Sequence, residues 1–204
     1  MGRSTNDAKL EKMILIRTAE TSDAKAIADV HVATWRTTYA GLLPDTVLLG
    51  ITSEGEQRHW QRVIAIAKRD FVVQLAETAD GEVIGYGSAG PTRESSLPFS
   101  AEVYTLYVAP DHQGQGCGRL LLAAMLKQLQ AQGHGSAMLW VLAANLARFF
   151  YQAMGGVVAA ERRERHFGVA LNETAYGWSD LLQKRSGDAY QLAGRGAAVP
   201  DTQP

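Results

Sequence analysis

Residues 103–119, VYTLYVAPDHQGQGCGR, set three glycines at alternate positions (Gly114, Gly116 and Gly118) just before Arg119 and an amphipathic run from Leu120. Val103, Tyr104, Leu106, Tyr107 and Val108 form a strand-like run ahead of them, broken at Pro110. A strand, a glycine-rich turn and a helix start leave a row of uncovered backbone N–H groups pointing one way, backed by the positive end of a helix dipole. That is an anion site, most naturally one for phosphate. A Cβ in the turn would obstruct the phosphate oxygens and several of the φ angles required. Two familiar phosphate loops fail the test. No GxxxxGK(S/T) string occurs, and the spacing G-x-G-x-G is not the dinucleotide fingerprint GxGxxG. Gly133-His134-Gly135-Ser136, about 20 residues on, also lacks the acidic residue that fingerprint requires.

Gln113-Gly114-Gln115-Gly116-Cys117-Gly118 does match, at each fixed position, the pattern Gln/Arg-x-x-Gly-x-Gly/Ala. In this it resembles the acyl-CoA pyrophosphate loop of the GCN5-related N-acetyltransferase (GNAT) family. The resemblance returns downstream. Ser136–Leu142, SAMLWVL, is an apolar run of buried-strand length. Asn145-Leu146-Ala147-Arg148-Phe149-Phe150-Tyr151-Gln152-Ala153-Met154-Gly155-Gly156 then looks like the family's N-x-x-A-x-x-F-Y-x-x-x-G-F segment, with Gly156 in place of the usual aromatic.

The resemblance implies acetyl transfer from acetyl-CoA to a primary amine, by direct attack in a ternary complex. It implies that backbone N–H groups of Gly114, Gln115, Gly116, Cys117, Gly118 and Arg119 cradle the pyrophosphate, with Gln113 tightening the turn or meeting a phosphate. The strand ahead would splay from its neighbour and free backbone groups of Leu106, Tyr107 and Val108 for the pantetheine arm. A well-placed N–H, here that of Val108, would stabilise the oxyanion by about 3–4 kcal/mol. Tyr151 stands where family members carry their acid tyrosine, and a phenol of pKa about 10 suits reprotonation of a leaving thiolate. Its alternative role is packing. Asn145 would bond the pantetheine amide, cap the helix, or do both. Glu102, eleven residues before Gln113, has the spacing of the family's glutamate base; otherwise it is an exposed charge at a strand start. Cys117 could hold an acyl group in a ping-pong route, though its place between two loop glycines fits a structural role. The five histidines show no ligand spacing, and no metal is expected.

The acceptor pocket of such enzymes is built by the first helices. Trp35 and Tyr39 recur at i, i+4 and either line that pocket or pack on the sheet. The default acceptor is a small primary amine or amino-acid-like molecule. A protein N-terminal or lysine acceptor and a non-catalytic acyl-CoA-binding module remain as alternatives.

The elements that must position these groups follow from periodicity. Strands are expected at Met13–Arg17, Phe71–Glu77, Glu82–Ser88, Glu102–Val108, Ser136–Leu142, Val157–Arg165 and Ala175–Leu182. Helices are expected from Thr21, near Pro44, over Ser53–Ala67, over Arg119–Gln132 and over Asn145–Met154. With the resemblance, the order β-α-α-β-β-β-α-β-α-β-β predicts an α/β fold, a mixed, twisted central sheet of about six to seven strands with helices on both faces. Residues 1–12 read as a flexible N-terminus, 13–185 as a single domain, and 186–204, rich in Gly, Ala and Pro, as a disordered tail.

A chain of 204 residues with 20 basic and 21 acidic side chains and net charge −1 carries no basic field for nucleic acid. Arg162-Arg163-Glu164-Arg165-His166 reads as an exposed strand or turn of mixed sign, the alternative being a role near the CoA or an anionic substrate. One cysteine excludes an intramolecular disulfide. No apolar stretch approaches the ~20 residues of a membrane span, and MGRSTNDAKLEK lacks a signal h-region. A cytoplasmic protein with no membrane partner is expected, with a homodimer left open.

Overall fold

The computed structural model describes residues 13–66 and 70–182, so the expected N-terminal segment 1–12 and tail 186–204 lie outside the described residues. Seven strands make one sheet in the order β1-β2-β3-β4-β5-β7-β6. They are β1 Leu15–Thr18, β2 Val72–Glu77, β3 Val83–Pro91, β4 Ala101–Val108, β5 Ala137–Leu142, β6 Val157–His166 and β7 Val169–Trp178. Only β4 and β5 pair in parallel; every other neighbouring pair is antiparallel.

Three helices separate β1 from β2: α1 Ala24–Thr38, α2 Asp45–Gly50 and α3 Ser53–Ile66. The break between α1 and α2 follows from Gly41, at φ +73°, and from Pro44, which cannot continue a helix but suits the residue ahead of one. Helix α1 buries Ala24, Ile27, Ala28 and Val30, and α3 buries Trp60, whose ring meets Tyr86 of β3 edge-on at 4.9 Å. Ile27, Val30, Trp60 and Tyr86 form a core with Leu75 and Val73 on one face of the sheet. On the other face α4, Cys117–Ala131, seats Leu122, Met125, Leu126 and Leu129 against Val103, Leu139 and Val141. The spacing i, i+3, i+4, i+7 makes that stripe continuous. The short α5, Ala147–Ala153, adds Tyr151 to the same core.

The last strand lies about six residues earlier than the expected Ala175–Leu182. Phe167 and Gly168 both take positive φ, 52° and 80°, closing a two-residue hairpin that starts β7 at Val169. The polar run Asn172-Glu173-Thr174 hides the strand in the sequence, yet Glu173 to Trp178 are all buried. Strand β3 also outruns its expected end. It reaches Pro91, held by pairing to Ala101 and by the Tyr104 hydroxyl donating to the Pro91 carbonyl.

Candidate active site

The β4–β5 ladder has two register pairs, Ala101 with Ala137 and Glu102 with Met138. Beyond them the strands part. Strand β4 stays on β3 through Val108, and β5 stays on β7 through Leu142, so the right-handed sheet twist separates them progressively. Residues Val103 to Val108 and Leu139 to Leu142 line a cleft of about 1360 Å³.

At its open end lies the glycine turn. Pro110–His112 form a single 3-10 turn, Gly114 and Gly116 take φ of 73° and 90°, and Gly116 caps α4. Helix α4 has no acidic residue in its first turn, so nothing there opposes an anion. Gln113 turns inward: its Nε2 donates to the Val108 carbonyl at 3.0 Å, which also accepts from Thr34 Oγ1 at 3.2 Å. The Ala109 N–H donates to Ile84 at 2.8 Å, so ladder alternation points the Val108 N–H away from β3, toward the parted side. Gln113, Gly114, Gly116, Gly118 and Arg119 line the cleft with Leu106, Tyr107 and Val108. Gln115 does not; its amide folds back on the Asp111 carbonyl at 3.0 Å. Cys117 does not either. Its thiol sits under the sheet against Gly85 and Leu121, and burial pushes its pKa up to about 11.

Tyr151 lines the cleft from α5, packed on Phe150 and Tyr176 with ring centroids 5.2 and 6.2 Å away. Burial, and secondarily Tyr39, raises its pKa well above that of a free phenol, so it stays protonated at neutral pH. Asn145 also lines the cleft, while its Oδ1 accepts the Ala147 N–H at 2.9 Å and so begins α5. Trp35 and Tyr39 meet the cleft from α1, their rings 4.5 Å apart. Burial, and then Glu173, holds the Tyr39 hydroxyl above its ordinary pKa, offset in part by a hydrogen bond with Tyr107.

Glu102 is not brought to the cleft. It occupies the last paired position of the ladder, 4 % exposed, where its carboxylate takes Arg93 Nη2 at 2.6 Å, Nε at 3.2 Å and the Arg93 backbone N–H at 3.0 Å. Arg93 in turn lies 4.3 Å over the Tyr104 ring. A carboxylate so held pins the β3–β4 connection and lies outside the cleft lining. The expectation that Glu102 is an exposed strand-start charge fails as well, because it is buried.

Glu173 of β7 is the acidic group that does line the cleft, opposite Leu142 of β5. Its Oε2 accepts from Arg162 Nε at 2.7 Å, and its Oε1 lies 3.2 Å from His166 Nε2. Arg162 stacks 4.0 Å over Trp140 and reaches Glu94 at 3.5 Å. The mixed-charge run is therefore not simply a solvated face. The aromatic wall extends beyond the expected Trp35 and Tyr39, for Phe167 brings its ring to 6.4 Å from Trp35, edge-on. Both Trp35 and Trp140 bury their indole N–H without a hydrogen-bond partner among the described residues, so they meet the cleft as ring surface.

A parted strand pair, a glycine turn and a buried tyrosine thus share one cleft. The model of the acetyltransferase (GNAT) family matches residues 34–155, which include both the turn and Tyr151. The chain belongs to that family and is an acyltransferase. It is 36% identical over 169 residues to the uncharacterized N-acetyltransferase YuaI of Bacillus subtilis, covering 83% of this chain and 95% of that protein. It is 28% identical to the L-amino acid N-acyltransferase MnaT of Escherichia coli, covering 72% of this chain and 81% of MnaT. The fold is shared with the PaiA N-acetyltransferase of Thermoplasma acidophilum, solved with coenzyme A. That match has a TM-score of 0.58 and 20% identity, and covers 79% of this chain and 98% of the other.

Proposed function

We propose that this enzyme transfers the acetyl group of acetyl-CoA to a primary amine of a small molecule, by direct attack of the amine on the thioester. The observation that carries the reading is the cleft itself: one continuous space joins the glycine turn, the freed edge of β4, Tyr151 and a separate wall of aromatic side chains. A pyrophosphate suits the uncovered N–H groups from Gly114 to Arg119, and a pantetheine arm suits the unpaired stretch of β4. As the amine nitrogen bonds the carbonyl carbon, negative charge builds on the oxygen, where the Val108 N–H can meet it. The C–S bond then breaks, the Tyr151 hydroxyl donates its proton to the departing sulfur, the proton released from the amine nitrogen passes to water, and water reprotonates Tyr151. Cys117, buried on the far side of the turn, has no place in this sequence, which favours direct attack over an acyl-cysteine. The match to MnaT, named for L-amino acids, supports an acceptor of small-molecule size. The test is turnover with acetyl-CoA over a panel of small amines and peptides, following free thiol and the mass of the product. Thiol release with an N-acetylated small amine is expected. Turnover with peptides alone, or with nothing, contradicts the reading.

A further inference from the structure

Part of the cleft wall is built by α1, β7 and the β6–β7 turn. Glu173 lies there, its side chain 10 % exposed and one face on the cleft. An ionised carboxylate has about four lone-pair sites; Arg162 Nε takes one, and His166 Nε2 lies 3.2 Å from Oε1 without making a hydrogen bond to it. Arg162 is shared with a second carboxylate, Glu94, so one guanidinium serves two carboxylates and neither has it to itself. A carboxylate charge, partly withdrawn from water, attracts an ammonium and repels another carboxylate more strongly than it would in solution. The rings of Trp35 and Tyr39, with Phe167 edge-on to Trp35, line the same cleft as Glu173. Aromatic faces add to the binding of a cation and of an apolar body. Phe167 is also held at φ +52°, a conformation that costs a bulky residue and favours Asn or Gly. A tight turn that keeps a phenylalanine there keeps strain for the sake of its ring.

We propose that Glu173, between Trp35, Tyr39 and Phe167, selects an acceptor whose ammonium is carried on an apolar body with no carboxylate beside it, an alkyl- or arylalkylamine. This rests on the acetyl-transfer reading above and narrows its acceptor. The discriminating pair is phenethylamine and L-phenylalanine, which differ only by the carboxylate. The wild-type enzyme should prefer the amine in kcat/KM by at least about tenfold, the scale of one charge-assisted hydrogen bond. Glu173→Gln should cut that preference by about tenfold, chiefly by raising KM for the amine, while calorimetry shows unchanged affinity for acetyl-CoA. Should Glu173→Gln fail to fold, Phe167→Asn relieves the turn: Tm should hold or rise, and KM for phenethylamine should rise about threefold or more. Equal use of the two acceptors, a preference for phenylalanine or for a peptide N-terminus, a preference unmoved by Glu173→Gln, or an unmoved KM in Phe167→Asn overturns the proposal. If no amine releases thiol at all, the acetyl-transfer reading falls first, and that result is distinct from any of these.

Discussion

The two ends of the cleft are built in opposite ways. The glycine-turn end comes from one contiguous stretch, Val103 to Arg119, and offers mainly backbone. The acceptor end is assembled from side chains of α1, β5, β7 and the β6–β7 turn, more than a hundred residues apart in the chain. Backbone donors suit a ligand part that never changes; scattered side chains suit one that differs between relatives. Tyr151 lines the same cleft, and in the proposed reaction its hydroxyl serves the leaving sulfur rather than holding either ligand.

The sharpest way to break this division is at Tyr151. Tyr151→Phe removes one oxygen from a packed ring and should lower kcat by about a hundredfold or more, the usual scale for a general acid, with KM for acetyl-CoA little changed. A kcat within threefold or so of wild type would reduce Tyr151 to packing. Glu102→Gln sharpens the contrast between the two carboxylates of the region. It leaves Arg93 without its charged partner and should cost roughly 1–3 kcal/mol of stability in a denaturant melt. The pH profile of kcat/KM should survive intact, and loss of its acidic limb would return Glu102 to the role of base. The smallest effect concerns Cys117. Burial raises its pKa to about 11 from 9.0, so the folded state favours the thiol. Its contribution to stability is complete below pH 9.0 and is lost as pH rises through about 11. At pH 8 the native thiol should be alkylated by iodoacetamide roughly a hundredfold more slowly than in the unfolded chain, with activity kept meanwhile. Rapid alkylation would reopen the acyl-cysteine route.

What the sequence reveals follows the same division. The turn is legible because its glycines, its preceding strand and its following helix are consecutive, and Gly114 and Gly116 do take the positive φ that such a turn requires. Trp35 and Tyr39 are legible as a pair because a helix fixes their i, i+4 contact. Glu173 is not. Its neighbours Asn172 and Thr174 disguise the strand, and only pairing with β6 brings Arg162 opposite to it. Phe167 is hidden for a related reason: HFG reads as a turn without saying where the ring goes. Glu102 misleads because spacing from the glycine turn cannot register Arg93, which arrives from the β3–β4 loop and occupies the carboxylate. The family pattern reports what is built along the chain, and misses what is built across it.

Two glycines allow the central claim, that the parted strands hold acetyl-CoA by its pyrophosphate at the turn, to be tested with backbone strain held constant. Gly116 and Gly81 have nearly the same φ, 90° and 87°, but only Gly116 lines the cleft, while Gly81 turns the β2–β3 hairpin. Calorimetric titration of acetyl-CoA into Gly116→Val and Gly81→Val, both verified as folded, separates the phosphate cradle from strain alone. Gly116→Val should weaken binding by about tenfold or more, as loss of a charge-assisted bond or two would do, and Gly81→Val should bind as wild type. Equal affinity in the two variants would contradict that claim.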